Sequence, residues 1–307
     1  GIQILIMFDV SIIIINYKVK EYIIPCIESI YKHTSKSLRY EILVIDNNSN
    51  DGSIDAIKSQ FSEVKIYENT ENIGFSKAVN QGAETAIGKY IFILNPDTKL
   101  IEDSISILFT FLEKHETVAV AGPTLVTESG IKQQSYWKEP TLINTILSIY
   151  HLDFLNYKKN YRNEIGDKTI LVDSISGGAF FVQKDVFQNL NGYHPNLFWM
   201  EDIDFCTNVR KLDNKIIYYP ETKIIHYGGK SAEKNLPLAI SNQLLSKIKY
   251  FKLHHSGIET IILTVAILFI ALIKSILFLI VFPLGSNYRK KMIGYLSVIK
   301  GILTNTH

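Results

Sequence analysis

Short apolar runs rich in β-branched residues alternate with amphipathic segments through the first third of the chain. The runs have strand length and few polar residues, as expected for strands covered by helices on both faces. Such alternation predicts βαβ units and a mainly parallel sheet. We predict strands at 9–17, 40–46, 64–68 and 89–97, and helices at 21–31 and 54–61, with a third helix ending at Gly88.

Polar residues follow three of these strands at the point where each strand ends. Asn16 closes the first strand, Asp46 to Asn48 close the second, and Asn95 to Asp97 close the fourth. The carboxyl ends of parallel strands meet at one edge of a sheet, where ligands bind in such folds. The sequence therefore predicts a binding cleft at this edge.

The order of elements is harder to assign further along the chain. A helix at 101–116 and a strand at 118–123 precede an aromatic and polar stretch through residue 170, which we interpret as a variable insertion near the substrate entrance. Regular structure then returns. We predict a strand, a glycine pair, a second strand and a helix at 171–187, then a helix at 201–212 and a strand at 215–221.

Composition excludes several classes of protein. The 307 residues include 32 Lys and Arg against 30 Asp and Glu, so no overall positive field favours nucleic acid. The two cysteines, Cys26 and Cys206, lack metal-ligand spacing and suit a reducing compartment. The residues before Met7 lack the basic region and cleavage site of a signal peptide, and we expect the natural chain to begin at Met7.

The segment 260–282 is almost entirely apolar. At about 1.5 Å per residue it could cross a hydrocarbon layer of about 30 Å. A charge at Lys274 would be costly inside that layer, and basic residues on both flanks disfavour moving either flank across. We expect a re-entrant or surface-lying segment; a single crossing and a buried soluble helix are the alternatives. The flanking residues are Lys247, Lys249, Lys252, Arg289, Lys290 and Lys291.

Three acids lie within four positions in NLFWMEDIDFC, residues 196–206. Glu201, Asp202 and Asp204 could begin a helix, because the free N–H groups and the dipole of a first turn favour negative charge. They could equally supply a base to a site, since the apolar residues around them would bury a carboxylate and raise its pKa. The residues alone leave both interpretations open.

Four stretches in a fixed order carry a resemblance to a known family. They are VIDNNSNDGS at 44–53, ENIGFSKAVNQG at 71–82, LNPDT at 94–98 and WMEDIDFC at 199–206, the last followed by IIHYGG at 224–229. Together they resemble the inverting nucleotide-sugar glycosyltransferases of family 2, which have the GT-A fold. The similarity is greatest to bacterial rhamnosyltransferase-like enzymes of surface polysaccharide assembly, O-antigen included, and it covers residues 9 to 230.

The resemblance implies a domain layout. It implies an α/β catalytic domain of the GT-A fold at 7–235, a Rossmann-like, mainly parallel sheet flanked by helices. The nucleotide-binding half would be 7–123 and the acceptor-binding half 124–235. Residues 236–307 would then form a C-terminal hydrophobic helical region that associates with a membrane.

The resemblance also implies which residues bind the donor. Asp46 would accept the N3–H of uracil or thymine, with Asn16 and Tyr17 beside it. The alternative for this segment is an Asx-turn, which Asn48 or Asn50 could also close. For the glycine pair at 177–178 the alternative is a tight turn or bulge. The other residues implied to bind the donor are Asn48, Asn72, Gly74, Asn95, Gly177 and Gly178.

A divalent cation, Mg²⁺ or Mn²⁺, and a pair of acids complete the implied site. LNPDT stands where the family carries two aspartates, but Asn95 replaces the first, so Asp97 and His226 would be the protein ligands. A strand-ending turn and a buried structural histidine are the alternatives. Asp202 would be the general base for the acceptor hydroxyl, and Glu201 would orient the acceptor.

The implied activity is transfer of a sugar from dTDP-rhamnose to a polyprenyl-diphosphate-linked saccharide, at the cytoplasmic face of the inner (plasma) membrane, by a peripheral or monotopic protein. A UDP-hexose, UDP-N-acetylhexosamine or galactofuranose donor is an alternative. So is a non-catalytic scaffold that binds a nucleotide sugar at the membrane. A processive polysaccharide synthase is disfavoured. Such enzymes carry a Gln-x-x-Arg-Trp motif after the base, whereas neither Trp137 nor Trp199 follows an arginine.

Overall fold

The computed structural model describes residues 8–152, 166–228, 235–281 and 285–304. The expectation about the chain start, and part of the predicted insertion, fall outside these ranges. The described residues belong to two compact units. One unit lies within Gly1–Lys138, Tyr161–Pro195 and Glu201–Lys230, and the other within Glu139–Asn160, Asn196–Met200 and Ser231–His307.

The first unit begins with the predicted alternation of strands and helices. Four strands pair in parallel in the order β3-β2-β1-β4, and each crossover contains a helix. This confirms the α/β prediction. The elements are β1 (Val10–Asn16), α1 (Lys20–His33), β2 (Tyr40–Asp46), α2 (Ser53–Gln60), β3 (Lys65–Glu68), α3 (Phe75–Thr85) and β4 (Tyr90–Leu94).

The same sheet continues as β10-β6-β11-β5, with β8 paired to β11. Because β10 runs antiparallel to both its neighbours, the sheet is mixed in this half. Strands β7 and β9 form a separate pair. These elements are β5 (Thr98–Leu100), α4 (Ser104–Glu113), β6 (Val118–Val126), β7 (Tyr136–Trp137), β8 (Ile170–Leu171), β9 (Ser174–Ile175), β10 (Ala179–Gln183), α6 (Lys184–Asn189), α7 (Glu201–Lys211) and β11 (Lys215–His226).

The central strands have apolar side chains on both faces. Ile12 and Ile14 of β1 belong to one buried cluster, and Ile13 and Ile15 belong to a second cluster. Successive side chains of a strand point to opposite faces, so one apolar run contributes to both cores. This burial fixes the register, which places Asn16 directly opposite Asp46 where β1 and β2 end.

Several predicted boundaries are wrong; the strand predicted at 118–123, for example, runs on to Val126, and the helix predicted at 101–116 is Ser104–Glu113. The strand predicted at 89–97 ends at Leu94, where Pro96 enters a turn, and β5 begins separately at Thr98. The strand predicted to stop at residue 221 runs on to His226. Its pairing with β6 is irregular between Tyr218 and Lys223 and then resumes, so Pro220 is accommodated without ending the strand.

The second unit is helical. It contains α5 (Leu142–Ile149), α8 (Leu236–His254), α9 (Gly257–Val281) and α10 (Ser286–Thr304). Of the helices that the structure describes, α9 alone is long and apolar enough to cross a membrane. One face of α9 packs against α5, α8 and α10 and buries Leu263, Ile267 and Ala271, whereas the opposite face is exposed.

Candidate functional site

Asp46 is buried at the end of β2 in a network of local hydrogen bonds. Its Oδ1 accepts from Asn16 Nδ2 at 2.7 Å and from the Ser49 hydroxyl at 2.5 Å, and its Oδ2 accepts from the Ser49 amide at 3.0 Å. Asp46 therefore closes the turn itself, which the sequence analysis assigned to Asn48 or Asn50. A carboxylate offers about four lone-pair sites, so Asp46 retains capacity for a further donor.

The loop before α3 is organised by side-chain amides. The side-chain Oδ1 of Asn72 accepts from the backbone N–H of Gly74 at 2.9 Å. Gly74 has φ +88°, a conformation that glycine adopts readily. Sequence reasoning missed Asn69, whose Nδ2 donates to Asn47 Oδ1 at 3.1 Å and to Gln81 Oε1 at 3.0 Å. These contacts explain the loop conformation and leave nucleotide binding by Asn72 and Gly74 a prediction.

Two other residues predicted to bind the donor lie at the surface of this region. Asn48 is exposed, has φ +61°, and its Oδ1 accepts from Asn50 Nδ2 at 2.5 Å. Tyr17 is half-buried, and the Lys18 ammonium lies 5.2 Å from its ring centroid. Both follow the ends of adjacent parallel strands, as expected for residues that face a ligand.

The glycine pair between β9 and β10 connects several predicted site residues. The Gly177 amide donates to Asp202 Oδ2 at 2.9 Å, and the Gly178 carbonyl accepts from the Asn95 amide at 3.0 Å. A Cβ at position 178 would lie 3.6 Å from His226 Cε1. The pair therefore brings the predicted base, the LNPDT turn and the predicted metal-binding histidine together.

Asp97 and His226 face each other at the end of the sheet. His226 Nε2 lies 3.5 Å from Asp97 Oδ1, and both side chains are largely buried. Among the described residues, this nitrogen has no hydrogen-bond partner, although it is buried. A buried imidazole nitrogen without a hydrogen-bond partner, beside a carboxylate, fits a divalent cation. The described part of the chain contains no group of three or more His, Cys, Asp or Glu side chains that could hold a metal ion.

Asp202 lies in the first turn of α7, so both interpretations of the acid-rich stretch hold in part. Its Oδ1 accepts from the Ile203 amide at 2.8 Å. Burial raises the pKa of Asp202 to about 6, against the lowering effect of the hydrogen bonds from Gly177 and Ile203. Glu201 and Asp204 are buried in the same turn. A carboxylate with such a pKa can accept a proton near neutral pH.

Sequence reasoning missed Tyr193, which lies in the buried cluster that also contains Phe205 of α7. Burial first, and then the charges of Asp202 and Glu201, raise the pKa of this tyrosine well above its usual value. The Asn80 side chain holds its backbone through two hydrogen bonds of 2.8 Å. A neutral phenol is thus fixed near the acids of α7.

Comparison with solved structures identifies the fold. The chain resembles a mannosyltransferase from Pyrobaculum calidifontis solved with GDP-mannose and Mn²⁺ (TM-score 0.55, 15% identity, 97% of this chain and 88% of that one). It also resembles Staphylococcus aureus TarS, residues 1–349 (TM-score 0.54, 15% identity, 97% and 92%). The predicted GT-A fold of glycosyltransferases is therefore confirmed.

Sequence comparison then gives the family. Residues 11–190 match Glycosyl transferase family 2, and the chain belongs to that family. An N-acetylglucosaminyl-diphospho-decaprenol L-rhamnosyltransferase of Mycobacterium tuberculosis is 22% identical over 234 residues, which are 70% of this chain and 76% of that protein. The resemblance found in the motifs is confirmed at the level of family and fold.

Proposed function

We propose that the protein transfers a sugar, with inversion, from a nucleoside-diphosphate sugar to a lipid-linked saccharide. The observation that carries this proposal is the Gly177–Gly178 turn, which holds Asp202 by a hydrogen bond and lies against His226. These contacts support a single site in which Asp202 would be the base and Asp97 and His226 would hold the cation that binds the diphosphate. The name of the mycobacterial relative supports a lipid-diphosphate-linked acceptor.

Asp202 would act as the general base. Its carboxylate takes the proton of an acceptor hydroxyl while that oxygen bonds to the anomeric carbon, on the face opposite the leaving group. The bond between the anomeric carbon and the phosphate oxygen breaks, and its electron pair leaves with the nucleoside diphosphate. Inversion follows from this single displacement. Glu201, beside Asp202 on α7, would orient the acceptor.

Asp97 and His226 would hold a Mg²⁺ or Mn²⁺ ion. A bound divalent cation neutralises charge that grows on the departing diphosphate. Asp46 would bind the base of the nucleotide through its remaining acceptor capacity, with Asn16, Tyr17, Asn48, Asn72, Gly74 and Asn95 around the donor. We favour dTDP-rhamnose as donor, because the mycobacterial relative is an L-rhamnosyltransferase.

A donor screen tests this function. Purified protein is incubated with Mn²⁺ or Mg²⁺, a polyprenyl-diphosphate N-acetylglucosamine acceptor, and one of dTDP-rhamnose, UDP-glucose, UDP-N-acetylglucosamine or UDP-galactofuranose. We expect acceptor-dependent release of dTDP alone, and a product of inverted anomeric configuration by NMR. Release of UDP instead would select the alternative donors. Tight nucleotide binding without turnover of any donor would support the non-catalytic scaffold.

We also propose attachment to the cytoplasmic face of the membrane, as a peripheral or monotopic protein, through α9. At 100° per residue, the exposed apolar side chains of α9 fall on one face along its whole length. Lys274 lies on the opposite face, where its Nζ is 3.1 Å from His151 Nε2 and 5.3 Å from the Tyr295 ring centroid. The exposed residues are Ile258, Ile261, Ile262, Val265, Phe269, Leu272, Ile273, Ile276, Leu277, Leu279 and Ile280.

This arrangement favours a helix lying in the membrane surface. Its apolar face would enter the lipid while the packed face keeps Lys274 among protein groups. Exposed Arg289 and Lys290 at the start of α10 add charge suited to anionic lipid. Spin labels on cysteines at 258, 269 and 280 are therefore expected at one depth, about 5–10 Å below the headgroups. Widely different depths for the three labels would indicate a crossing helix.

Replacing Ile261, Phe269 and Ile276 together by glutamate is expected to weaken binding to vesicles of phosphatidylserine and phosphatidylcholine about 100-fold. Each exposed apolar side chain would lose the lipid contact that stabilises the bound state. Vesicle flotation measures the effect. The matched control carries glutamate at Ile131, Leu171 and Leu212, which are exposed outside α9 and should leave binding unchanged. Equal losses in both triple variants would contradict the assignment of α9.

A further inference from the structure

Gln133 holds His226 through both ends of its side-chain amide. Its Nε2 donates to the His226 carbonyl oxygen at 2.8 Å, and its Oε1 lies 3.1 Å from His226 Nδ1. The two residues are 93 positions apart in the chain. The backbone N–H of Gln133 donates to the backbone carbonyl of Leu125 at 2.8 Å, and Ile225 of β11 pairs with Val126 of β6. These backbone contacts along β6 place the glutamine beside the histidine.

The backbone carbonyl fixes the orientation of the glutamine amide. A carbonyl oxygen only accepts hydrogen bonds, so the NH₂ group of Gln133 must face it. The Oε1 atom then faces the imidazole, and it too only accepts. His226 Nδ1 must therefore carry the proton in this contact, which leaves the lone pair of a neutral imidazole on Nε2.

The consequence appears on the other side of the ring. His226 Nε2 faces Asp97 Oδ1 at 3.5 Å and has no hydrogen-bond partner in the described part of the chain. In this tautomer the two facing atoms are both acceptors, which repel at this distance unless a cation or a proton lies between them. We infer that Gln133 is a positioning residue that sets the tautomer of His226, so that His226 and Asp97 both present lone pairs to a divalent cation. This inference rests on the proposed function.

Two measurements test it. In protein labelled with ¹⁵N-histidine, and without metal, long-range ¹H–¹⁵N NMR should show His226 protonated at Nδ1 and bare at Nε2; a His226→Ala spectrum assigns the signal. Gln133→Leu, which removes the acceptor opposite Nδ1, should lose this preference. Mn²⁺ affinity of the dTDP or UDP complex, measured by EPR, should fall about 10- to 100-fold in Gln133→Leu.

Gln134→Leu is the matched control, because Gln134 donates to the Tyr136 carbonyl instead. It should leave both the tautomer and the Mn²⁺ affinity at wild-type values. A wild-type His226 protonated at Nε2, or a Gln133→Leu variant with unchanged tautomer and affinity, would overturn the inference. If the wild-type protein binds no Mn²⁺ with either nucleotide and transfers no sugar, the proposed function fails. If the wild-type protein does both and Gln133→Leu behaves like wild type, only the role of Gln133 fails.

Discussion

Asp202→Asn is expected to lower kcat about 1,000-fold, because an amide of the same shape cannot accept the acceptor proton. Nucleotide affinity should change less than about threefold, since no step of donor binding needs this proton transfer. Isothermal titration with dTDP and UDP, beside steady-state rates with the screened donor, separates the two effects. A scaffold protein would show no loss of function in this variant.

The pH profile gives the same prediction a second readout. Burial raises the pKa of Asp202 to about 6, so the carboxylate gains a proton as the pH falls through that value. Only the deprotonated form can act as base. The logarithm of kcat/KM should therefore fall with a slope approaching one per pH unit below pH about 6, and be level above it. Asp202→Asn should lack this acid limb.

Asp213→Asn serves as the matched control. Asp213 is exposed just after α7 and has φ +57°, a conformation that asparagine adopts readily, so neither rate nor pH profile should change. Thermal unfolding of Asp202→Asn should stay within about 5 °C of wild type. An Asp202→Asn enzyme that retained more than a tenth of wild-type kcat would remove Asp202 from the role of base.

Much of the sheet could be predicted because its signals are local. The apolar run at 40–46 has strand length and ends in polar residues, and β2 has those bounds. The polar residues after β1, β2 and β4 were expected at one edge, and β1 does pair in parallel with both β2 and β4. Because these strands are buried on both faces, their continuous apolar composition was enough to predict them.

The contacts that organise the site were harder to predict, because they join residues that are distant in sequence. Gln133 lies in the stretch interpreted as an insertion, and only the pairing of β6 with β11 brings it to His226. A glutamine has no local pattern that distinguishes this role. That β11 is one continuous strand from Lys215 to His226 was likewise hidden by Pro220, which normally weakens a strand assignment.

For α9, too, the local properties could be predicted from the sequence and the long-range contacts could not. Its length and apolar composition predicted a helix that contacts lipid, because these are local properties. Which face of α9 would meet lipid depends on its packing against α5, α8 and α10, which the sequence alone does not give. The contacts of Lys274 with His151 and Tyr295 account for its position.

Asp97→Asn is expected to have the second large effect. Asn95 already replaces one acid of the turn, so this change removes its remaining carboxylate and leaves His226 opposite an amide. Mn²⁺ affinity of the nucleotide complex should fall about 100-fold, equivalent to about 3 kcal/mol, and kcat/KM about 1,000-fold. EPR titration of Mn²⁺ and steady-state kinetics measure the two losses.

Asn95→Asp is the converse variant and tests the same assignment from the other direction. It restores a second carboxylate to the turn, while the backbone hydrogen bond from residue 95 to Gly178 is unaffected by the side chain. A hard divalent cation gains from each added carboxylate, so Mn²⁺ affinity should rise about tenfold. If affinity falls in Asn95→Asp, or stays unchanged in Asp97→Asn, the cation is held elsewhere and Asp97 has only a structural role in the turn before β5.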